Sequence, residues 1–370
     1  MKIGIPREIT KGETRVSASP ETVKKLISMG HEVFIAEDAG KLSNMSNEDY
    51  QEVGAKICSQ NDSLVKPLIL KVNIPTESEF TILKSGSTLV GMLNPFNKKG
   101  LELLAKSGVT AFALESAPRT TRAQSLDVLS SQANLAGYKA VLMAANEYPR
   151  LFPMMMTAAG SIKAAKVVIL GAGVAGLQAI ATAKRLGAVV EASDVRPAVK
   201  EQVESLGAKF IDVPLETDEE REAALGEGGY AKSMPHTWMV RQGEEVAKRI
   251  SMADIVISTA LIPGKKAPTL ITSSMVKSMR SGSVIVDMAG EQGGNCEGSE
   301  VNKTIILNGV RIIGFANLPS LLPTDASSLY ARNILEFLKL IINDENELHI
   351  PDDDDIVTAT LVVKEGKIWN

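Results

Sequence analysis

The chain has 370 residues, of which 44% are hydrophobic and 23% charged, and its formal net charge is −4. This length suggests two domains, and the apolar content is sufficient for well-buried cores, which argues against a disordered chain. The slightly acidic balance argues against nucleic-acid binding, which usually needs a basic face.

Cysteine spacing and hydropathy narrow the class of protein further. Cys58 and Cys296 are far apart and form no CxxC pair, so neither a disulfide scaffold nor a zinc ribbon is expected. The three histidines lack metal-ligand spacing, and we predict no metal site. The N-terminal MKIGIPRE has no apolar signal segment, and no stretch approaches the roughly 18–20 apolar residues of a membrane helix. We expect a cytoplasmic chain.

Short β-branched runs alternate with helical stretches, and this alternation predicts parallel sheets built from βαβ units. The first helix is marked by a Ser19 cap, Pro20 in its first turn and Gly30 just after its end. Two series of strands follow the same principle: Lys2–Ile5, Glu32–Ala36, Leu68–Val72, Thr88–Met92 and Val109–Leu114, then Lys166–Leu170, Val189–Ser193, Lys209–Val213, Asp254–Ser258, Ser283–Asp287 and Arg311–Gly314.

Two long helical patterns, from about Leu126 to Glu147 and from about Ser328 to Ile342, have no strand partner. They lie where the second strand series begins and ends, so we interpret them as connections between domains. The predicted fold class is α/β, with two Rossmann-like, doubly wound parallel-sheet domains joined by long helices. The first domain would be discontinuous, with residues 1–131 and 328–370, and the second would comprise residues 132–327.

The segment KVVILGAGVAG carries the clearest functional pattern. An apolar strand runs directly into Gly171, Gly173 and Gly176, and a helical pattern follows. The first glycine allows a tight turn, the second lets a pyrophosphate approach the backbone, and the third lets helix and strand pack closely. Free N–H groups at the helix N-terminus suit phosphates. The pattern predicts dinucleotide binding; the alternative is a glycine turn that only packs.

Asp194 ends the following strand at the distance where a carboxylate accepts hydrogen bonds from an adenosine ribose. Because a carboxylate also repels a 2′-phosphate, Asp194 favours NAD(H) over NADP(H). Arg196 points the other way, since an arginine at this position could pair with that phosphate.

Two further segments allow two interpretations each. Pro214–Arg249 is about three times longer than the dozen or so residues that an ordinary crossover needs, and it contains GEGGYAKSMP. It predicts either a mobile lid that carries Tyr230 or an extra surface helix that begins near Asp218–Glu222. In RTTRAQSLDVLSSQ, the i, i+3, i+6 spacing of Gln124, Asp127 and Ser130 predicts one helical face. That face either caps and solvates the helix or, at an interdomain cleft, holds a carboxamide such as that of nicotinamide.

Longer motifs connect these segments to a known family. The chain resembles the alanine dehydrogenase and proton-translocating transhydrogenase family along essentially its whole length, and within it the NAD(H)-binding component of transhydrogenase. The resemblance rests on IPRE, RAQSLDVLSSQANLAGY, FPMMMTAAG, GAGVAGLQAIATAKRLGA, DVRPAVKEQVESLGAKF, GGYAKSM, TALIPGKKAP and VDMAGEQGGNCEGSE.

The resemblance implies a set of site residues. Those that would position the nicotinamide, as the catalytic set, are Arg119, Gln124, Asp127 and Ser130. Those that would bind the rest of the cofactor are Thr120, Thr121, Gly171, Gly173, Val174, Gly176, Asp194, Val195, Arg196, Gly229, Tyr230, Gln242 and Leu261.

The resemblance also implies partners. The chain would form a homodimer and work with an NADP(H)-binding subunit and a membrane subunit that conducts protons. Hydride would pass directly from NADH to NADP⁺ on the partner, coupled to proton movement. The chain would then lie at the cytoplasmic face of the bacterial inner membrane through its partners.

The same family supplies the alternative function, an NAD-dependent alanine dehydrogenase. Lys71 and Arg15 match its catalytic lysine and its substrate-carboxylate arginine. However, Asn94 stands in the region that should carry the catalytic histidine, and Gly290 and Glu291 stand where an aspartate is expected. Glu291 could substitute, but proton transfer to an amino group otherwise lacks its acid and base.

Overall fold

The structure is a computed structural model that describes residues 1–224, 234–261, 264–343 and 345–369. It consists of two compact units. The first comprises Met1–Gln132 and Pro319–Asn370, and the second comprises Ala133–Leu318. Each unit contains a mainly parallel sheet with helices, so the fold class is α/β, as the sequence predicts. None of the helices in the described ranges is long and apolar enough to cross a membrane.

The strands, numbered in chain order, are β1 (Lys2–Ile5), β2 (Glu32–Ala36), β3 (Lys56–Cys58), β4 (Leu68–Asn73), β5 (Thr88–Met92), β6 (Thr110–Ala113), β7 (Met155–Thr157), β8 (Gly160–Ile162), β9 (Lys166–Leu170), β10 (Val189–Ser193), β11 (Lys209–Phe210), β12 (Ile255–Ser258), β13 (Val284–Asp287), β14 (Thr304–Leu307), β15 (Val310–Ile313), β16 (Leu361–Lys364) and β17 (Lys367–Ile368).

The α-helices are α1 (Pro20–Ser28), α2 (Asn47–Glu52), α3 (Gln60–Leu64), α4 (Glu77–Phe80), α5 (Lys98–Lys106), α6 (Val128–Glu147), α7 (Val174–Arg185), α8 (Lys200–Ser205), α9 (Asp218–Ala224), α10 (His236–Ile250), α11 (Ser273–Ser278), α12 (Pro323–Ile341) and α13 (Asp355–Thr360). A 3₁₀ helix at Thr121–Leu126 precedes α6.

The sheet of the first unit has the order β17-β16-β6-β5-β4-β1-β2-β3. Strands β1 to β6 pair in parallel, whereas β16 and β17 are antiparallel additions from the C-terminal segment. The first five residues of β4 are buried, as expected of a strand covered on both faces.

The sheet of the second unit has the order β11-β10-β9-β12-β13-β15-β14. All its neighbours are parallel except β14 and β15. The chain starts at β9, adds strands on one side, and then returns to add β12 on the other side. Such a reversal leaves a crevice at the carboxyl ends of the two central strands, and in open α/β sheets this crevice is where ligands bind.

Most of the predicted elements are confirmed, with shifted ends. The structure has the predicted first helix, and Ser19 accepts a hydrogen bond from the Thr22 N–H. Helix α12 begins at Pro323 rather than near Ser328, because proline is well tolerated in the first turn. The strand predicted at Lys209–Val213 has only two residues. The sequence prediction also missed six short strands: β3, β7, β8, β14, β16 and β17.

Candidate functional site

The turn between β9 and α7 is built around glycines. Gly171 has φ +96°, a conformation that side chains disfavour. A Cβ on Gly176 would lie 1.9 Å from the Gly171 carbonyl oxygen, so a larger residue would force the helix away from the strand. The two glycines therefore let α7 begin directly above the end of β9.

The N-terminus of α7 lies open at this turn. Gly173 is the residue before its first turn, and no side chain accepts a hydrogen bond from the N–H groups there. A Cβ on Gly173 would meet only the Arg196 guanidinium, at 3.9 Å. Four N–H groups at a helix start lack helical partners and carry partial positive charge, so this end of α7 is suited to bind an anionic group such as a phosphate.

Asp194, at the end of β10, connects this turn to Arg196. Its Oδ2 accepts a 2.7 Å hydrogen bond from the Ala172 N–H. Its two oxygens also accept hydrogen bonds from Nε and Nη2 of Arg196, both at 2.9 Å. Arg196 therefore holds the carboxylate beside the turn, whereas the sequence alone also allows an arginine directed at a 2′-phosphate.

Two more of the expected cofactor residues adjoin Asp194. Gln242 on α10 is buried, and its Nε2 donates to Ser193 Oγ at 3.2 Å. Val195 packs against a small apolar cluster that includes Val213 and Trp238. The long segment before β12 thus contributes α9 and α10, as the surface-helix interpretation predicts. Gly229 and Tyr230 lie outside the described residues.

The end of β12 lies on the other side of the glycine turn. Thr259 Oγ1 donates to the Gly171 carbonyl at 3.0 Å. Leu261, two residues further on, is 42% exposed. Across the described ranges, no group of three or more His, Cys, Asp or Glu residues could hold a metal ion.

The expected nicotinamide residues belong to the first unit. Arg119, Thr120, Thr121 and Gln124 are exposed. The prediction that Gln124 and Asp127 share one helical face is wrong, because the 3₁₀ helix ends at Leu126 and Asp127 is extended. Asp127 instead caps α6, since it accepts hydrogen bonds from the N–H of Ser130 at 2.9 Å and from its Oγ at 2.5 Å.

This segment has two supports that the sequence prediction missed. Arg122 pairs with Asp354 at 2.6 Å and also contacts Asp355. Asn333 on α12 donates to the Ser125 carbonyl at 2.8 Å. The run of four aspartates at 352–355 was a visible source of partners for a cation, but it lies more than 200 residues away along the chain.

Lys71, which matches the lysine of the alternative function, is fully buried and already paired. Its Nζ lies 2.9 Å from Glu79 Oε1 and 3.3 Å from Glu8 Oε2. Burial raises the pKa of Glu8, and the charge of Lys71 opposes that shift. The lysine therefore faces two carboxylates of its own chain.

Arg15 is engaged in the same way. Its Nε and Nη2 donate to the two oxygens of Glu13 at 2.8 and 2.7 Å, and Nη1 donates to Gln132. Although burial alone would raise the pKa of Glu13, the hydrogen bonds and charge of Arg15 lower it to about 2. Glu13 thus occupies the position on the guanidinium that a substrate carboxylate would need.

The positions expected to supply an acid and a base also differ from that alternative. Asn94 has φ +52°, and its N–H donates to Glu115 Oε1 at 2.6 Å. Gly290 and Glu291 form a single 3₁₀ turn in the second unit, where Glu291 is exposed. Neither position provides an imidazole or a buried carboxylate for proton transfer.

Comparisons with known proteins agree with this geometry. Residues 4–136 match the family model "Alanine dehydrogenase/PNT, N-terminal domain", and residues 140–370 match "Alanine dehydrogenase/PNT, C-terminal domain". The chain is 48% identical to the first of the separate polypeptides that form NAD(P) transhydrogenase subunit alpha of Rhodospirillum rubrum, over 100% of this chain and 97% of that protein. It is 30% identical to alanine dehydrogenase 1 of Staphylococcus aureus, over 100% and 95%.

A solved structure shows the same relation. The transhydrogenase from Sinorhizobium meliloti superposes with a TM-score of 0.87 at 44% identity, over 100% of this chain and 98% of that one. The similarity therefore extends over both units of the fold.

Proposed function

This chain belongs to the alanine dehydrogenase/PNT family, and we propose that it is the NAD(H)-binding component of an NAD(P) transhydrogenase. In the proposed reaction, a hydride leaves NADH on this chain and reduces NADP⁺ on a partner subunit, giving NAD⁺ and NADPH. The higher identity to transhydrogenase, 48% against 30% for alanine dehydrogenase, supports this assignment.

The observation that carries the proposal is the open N-terminus of α7 at the glycine turn. Its N–H groups have no side-chain cap, and the space above Gly173 is open apart from Arg196, so a pyrophosphate can approach the backbone. Asp194 lies beside this turn and is proposed to accept hydrogen bonds from the adenosine ribose. Its charge would disfavour a 2′-phosphate, which supports NAD(H) as the cofactor of this chain.

The residues of the RAQSLD segment are proposed to position the nicotinamide end. Asp127 and Ser130 fix each other through two hydrogen bonds, so this pair is ordered before a ligand arrives. Hydride transfer needs the two rings to be close and correctly oriented, and it needs no acid or base from this chain. The proposal therefore agrees with the absence of an imidazole at Asn94.

The internal ion pairs disfavour alanine dehydrogenase activity. An amino acid could reach Arg15 only by displacing Glu13, and it would find Lys71 bound to Glu8 and Glu79. Separating such buried pairs is costly, because each leaves an uncompensated charge.

A projecting hairpin supports the proposal that the chain forms a homodimer. Strands β7 and β8 pair only with each other, and every residue of both is exposed. Met154 and Met156 are 65% and 73% exposed. Exposed apolar groups of this kind mark interaction surfaces. We propose that a second copy of the chain covers this hairpin.

A membrane subunit is proposed to couple the hydride step to proton movement. It would also hold this chain at the cytoplasmic face of the bacterial inner membrane.

Enzyme assays test the proposed reaction. The purified chain, mixed with an NADP(H)-binding transhydrogenase subunit, should catalyse hydride exchange between NADH and an NADP⁺ analogue. The chain with NAD⁺ and alanine should produce no NADH. Alanine-dependent production of NADH would reverse the assignment, and inactivity in both assays would leave only a nucleotide-binding module.

Sedimentation velocity tests the homodimer. The wild-type chain should sediment as a dimer, and Met156→Asp should shift it towards the monomer. Lys11→Asp, at an exposed position of the first unit, is the control and should stay dimeric. A wild-type monomer would contradict the proposed homodimer.

A further inference from the structure

Ala260, which follows the end of β12, has both backbone groups held by one side chain. Its N–H donates to Asn295 Oδ1 at 3.2 Å, and its carbonyl accepts from Asn295 Nδ2 at 2.9 Å. The second hydrogen of Nδ2 goes to the Pro268 carbonyl at 2.8 Å. The amide of Asn295 therefore grips a single peptide segment from both sides.

Asn295 is itself fully buried and held in place by its own backbone. Its N–H donates to Asp287 Oδ1 at 3.1 Å, and Asp287 Oδ2 accepts from the Cys296 N–H at 3.0 Å. The two preceding residues, Gly293 and Gly294, have φ +95° and +78°. This left-handed turn, which other residues disfavour, brings Asn295 to β12.

The segment that Asn295 grips also touches the glycine turn. Thr259 Oγ1 donates to the Gly171 carbonyl at 3.0 Å, and a Cβ on Gly171 would lie 2.6 Å from that hydroxyl oxygen. On its other side, Ala260 is followed by Leu261, one of the expected cofactor residues. Any displacement of Ala260 would therefore move both Thr259 and Leu261.

We propose that Asn295 is a positioning residue of the nucleotide site, which acts by fixing Ala260 so that Thr259 supports the glycine turn and Leu261 faces the bound nucleotide. This inference rests on the proposed function. The amide of Asn295 directs its hydrogen bonds to the protein, and so it acts through Ala260 rather than by contact with NADH.

Two variants test the proposal by calorimetric titration with NADH. Asn295→Ala removes the grip, and Asn295→Asp keeps the size and the acceptor but loses both donors. Each should raise the Kd for NADH about tenfold, the equivalent of one lost hydrogen bond, and leave kcat at saturating NADH within about twofold. Asn146→Asp, an exposed asparagine of the same unit, is the matched control and should keep the wild-type Kd.

Hydrogen exchange supplies a readout that does not depend on activity. The Ala260 amide should be protected in the wild-type chain and should exchange faster in Asn295→Ala, because its acceptor is gone. An unchanged Kd in folded variants with a deprotected Ala260 would overturn the proposal. It would also fail if neither variant folds, since Asn295 would then serve the fold rather than the site. A wild-type chain that does not bind NADH would instead contradict the proposed function.

Discussion

In the first unit, Lys71 and Arg15 meet carboxylates of their own chain, whereas in the second unit the N–H groups at the start of α7 have no side-chain cap. Both regions are rich in polar groups that the family resemblance marks as functional. The difference lies in what is already satisfied. A buried charge whose partners are internal contributes to structure, and an open set of N–H donors is available to a ligand.

The largest expected effect separates these two roles. Lys71→Met should lower the free energy of unfolding by about 3–5 kcal/mol, because Glu8 and Glu79 lose their buried counter-charge. The Kd for NADH should not change. Urea unfolding and calorimetric titration measure the two quantities.

Lys99→Met is the control for this variant, since the Lys99–Glu77 pair is exposed and its loss should change stability little. The comparison between the two regions would break if Lys71→Met weakened NADH binding and left stability intact.

The next effect concerns the glycine turn, where stability and binding should fall together. Gly176→Ala places a Cβ 1.9 Å from the Gly171 carbonyl oxygen, so α7 must move. We expect a loss of about 1–3 kcal/mol in the free energy of unfolding, together with weaker NADH binding. Gly243→Ala on α10 is the control, because nothing lies within 4 Å of its Cβ and stability should not fall. Equal Kd values for the two variants would count against the turn as the nucleotide site.

A smaller effect tests the choice of cofactor. Asp194→Asn should raise the Kd for NADH roughly tenfold, since hydrogen bonds to a charged acceptor are lost. The preference for NADH over NADPH should also narrow, because Arg196 loses its carboxylate partner. Asp212→Asn, which removes an exposed partner of Lys200 in the same unit, is the control. An unchanged affinity for NADH would refute the ribose role.

The smallest effect is a pH dependence in the first unit. Burial raises the pKa of Glu115 from its ordinary value of 4.5 to about 7, and its Oε2 has no hydrogen-bond partner. Between these two values the folded state holds a proton that the unfolded state releases. The free energy of unfolding contributed by this group therefore falls as pH rises from about 4.5 to 7.

Urea unfolding at pH 5.5 and pH 8 measures this contribution. Glu115→Gln should show a smaller decrease than the wild-type chain over this interval. Parallel pH dependences would show that Glu115 does not titrate as described.

The sequence predicts the central strands well and the peripheral ones poorly. Apolar runs such as VVIL and IVIS are covered on both faces, so hydropathy identifies them. Strand β16, in contrast, exists because it pairs with β6, about 250 residues earlier, and no local pattern encodes that contact.

The same division applies to the site. The glycine turn and Asp194 are local and could be predicted from spacing. The grip of Asn295 on Ala260 could not, since it joins residues 35 positions apart and depends on the neighbouring positions of β12 and β13 in the sheet. The pairing of Arg196 with Asp194 was within reach, because only one residue separates them, but the sequence does not show which anion the guanidinium faces.

Calorimetric titration of the purified wild-type chain with NADH and with NADPH tests the central claim most directly. The open α7 N-terminus and the Asp194 carboxylate predict saturable binding of NADH and weaker binding of NADPH. No heat with NADH, or tighter binding of NADPH, would contradict the assignment of this turn as an NAD(H) site.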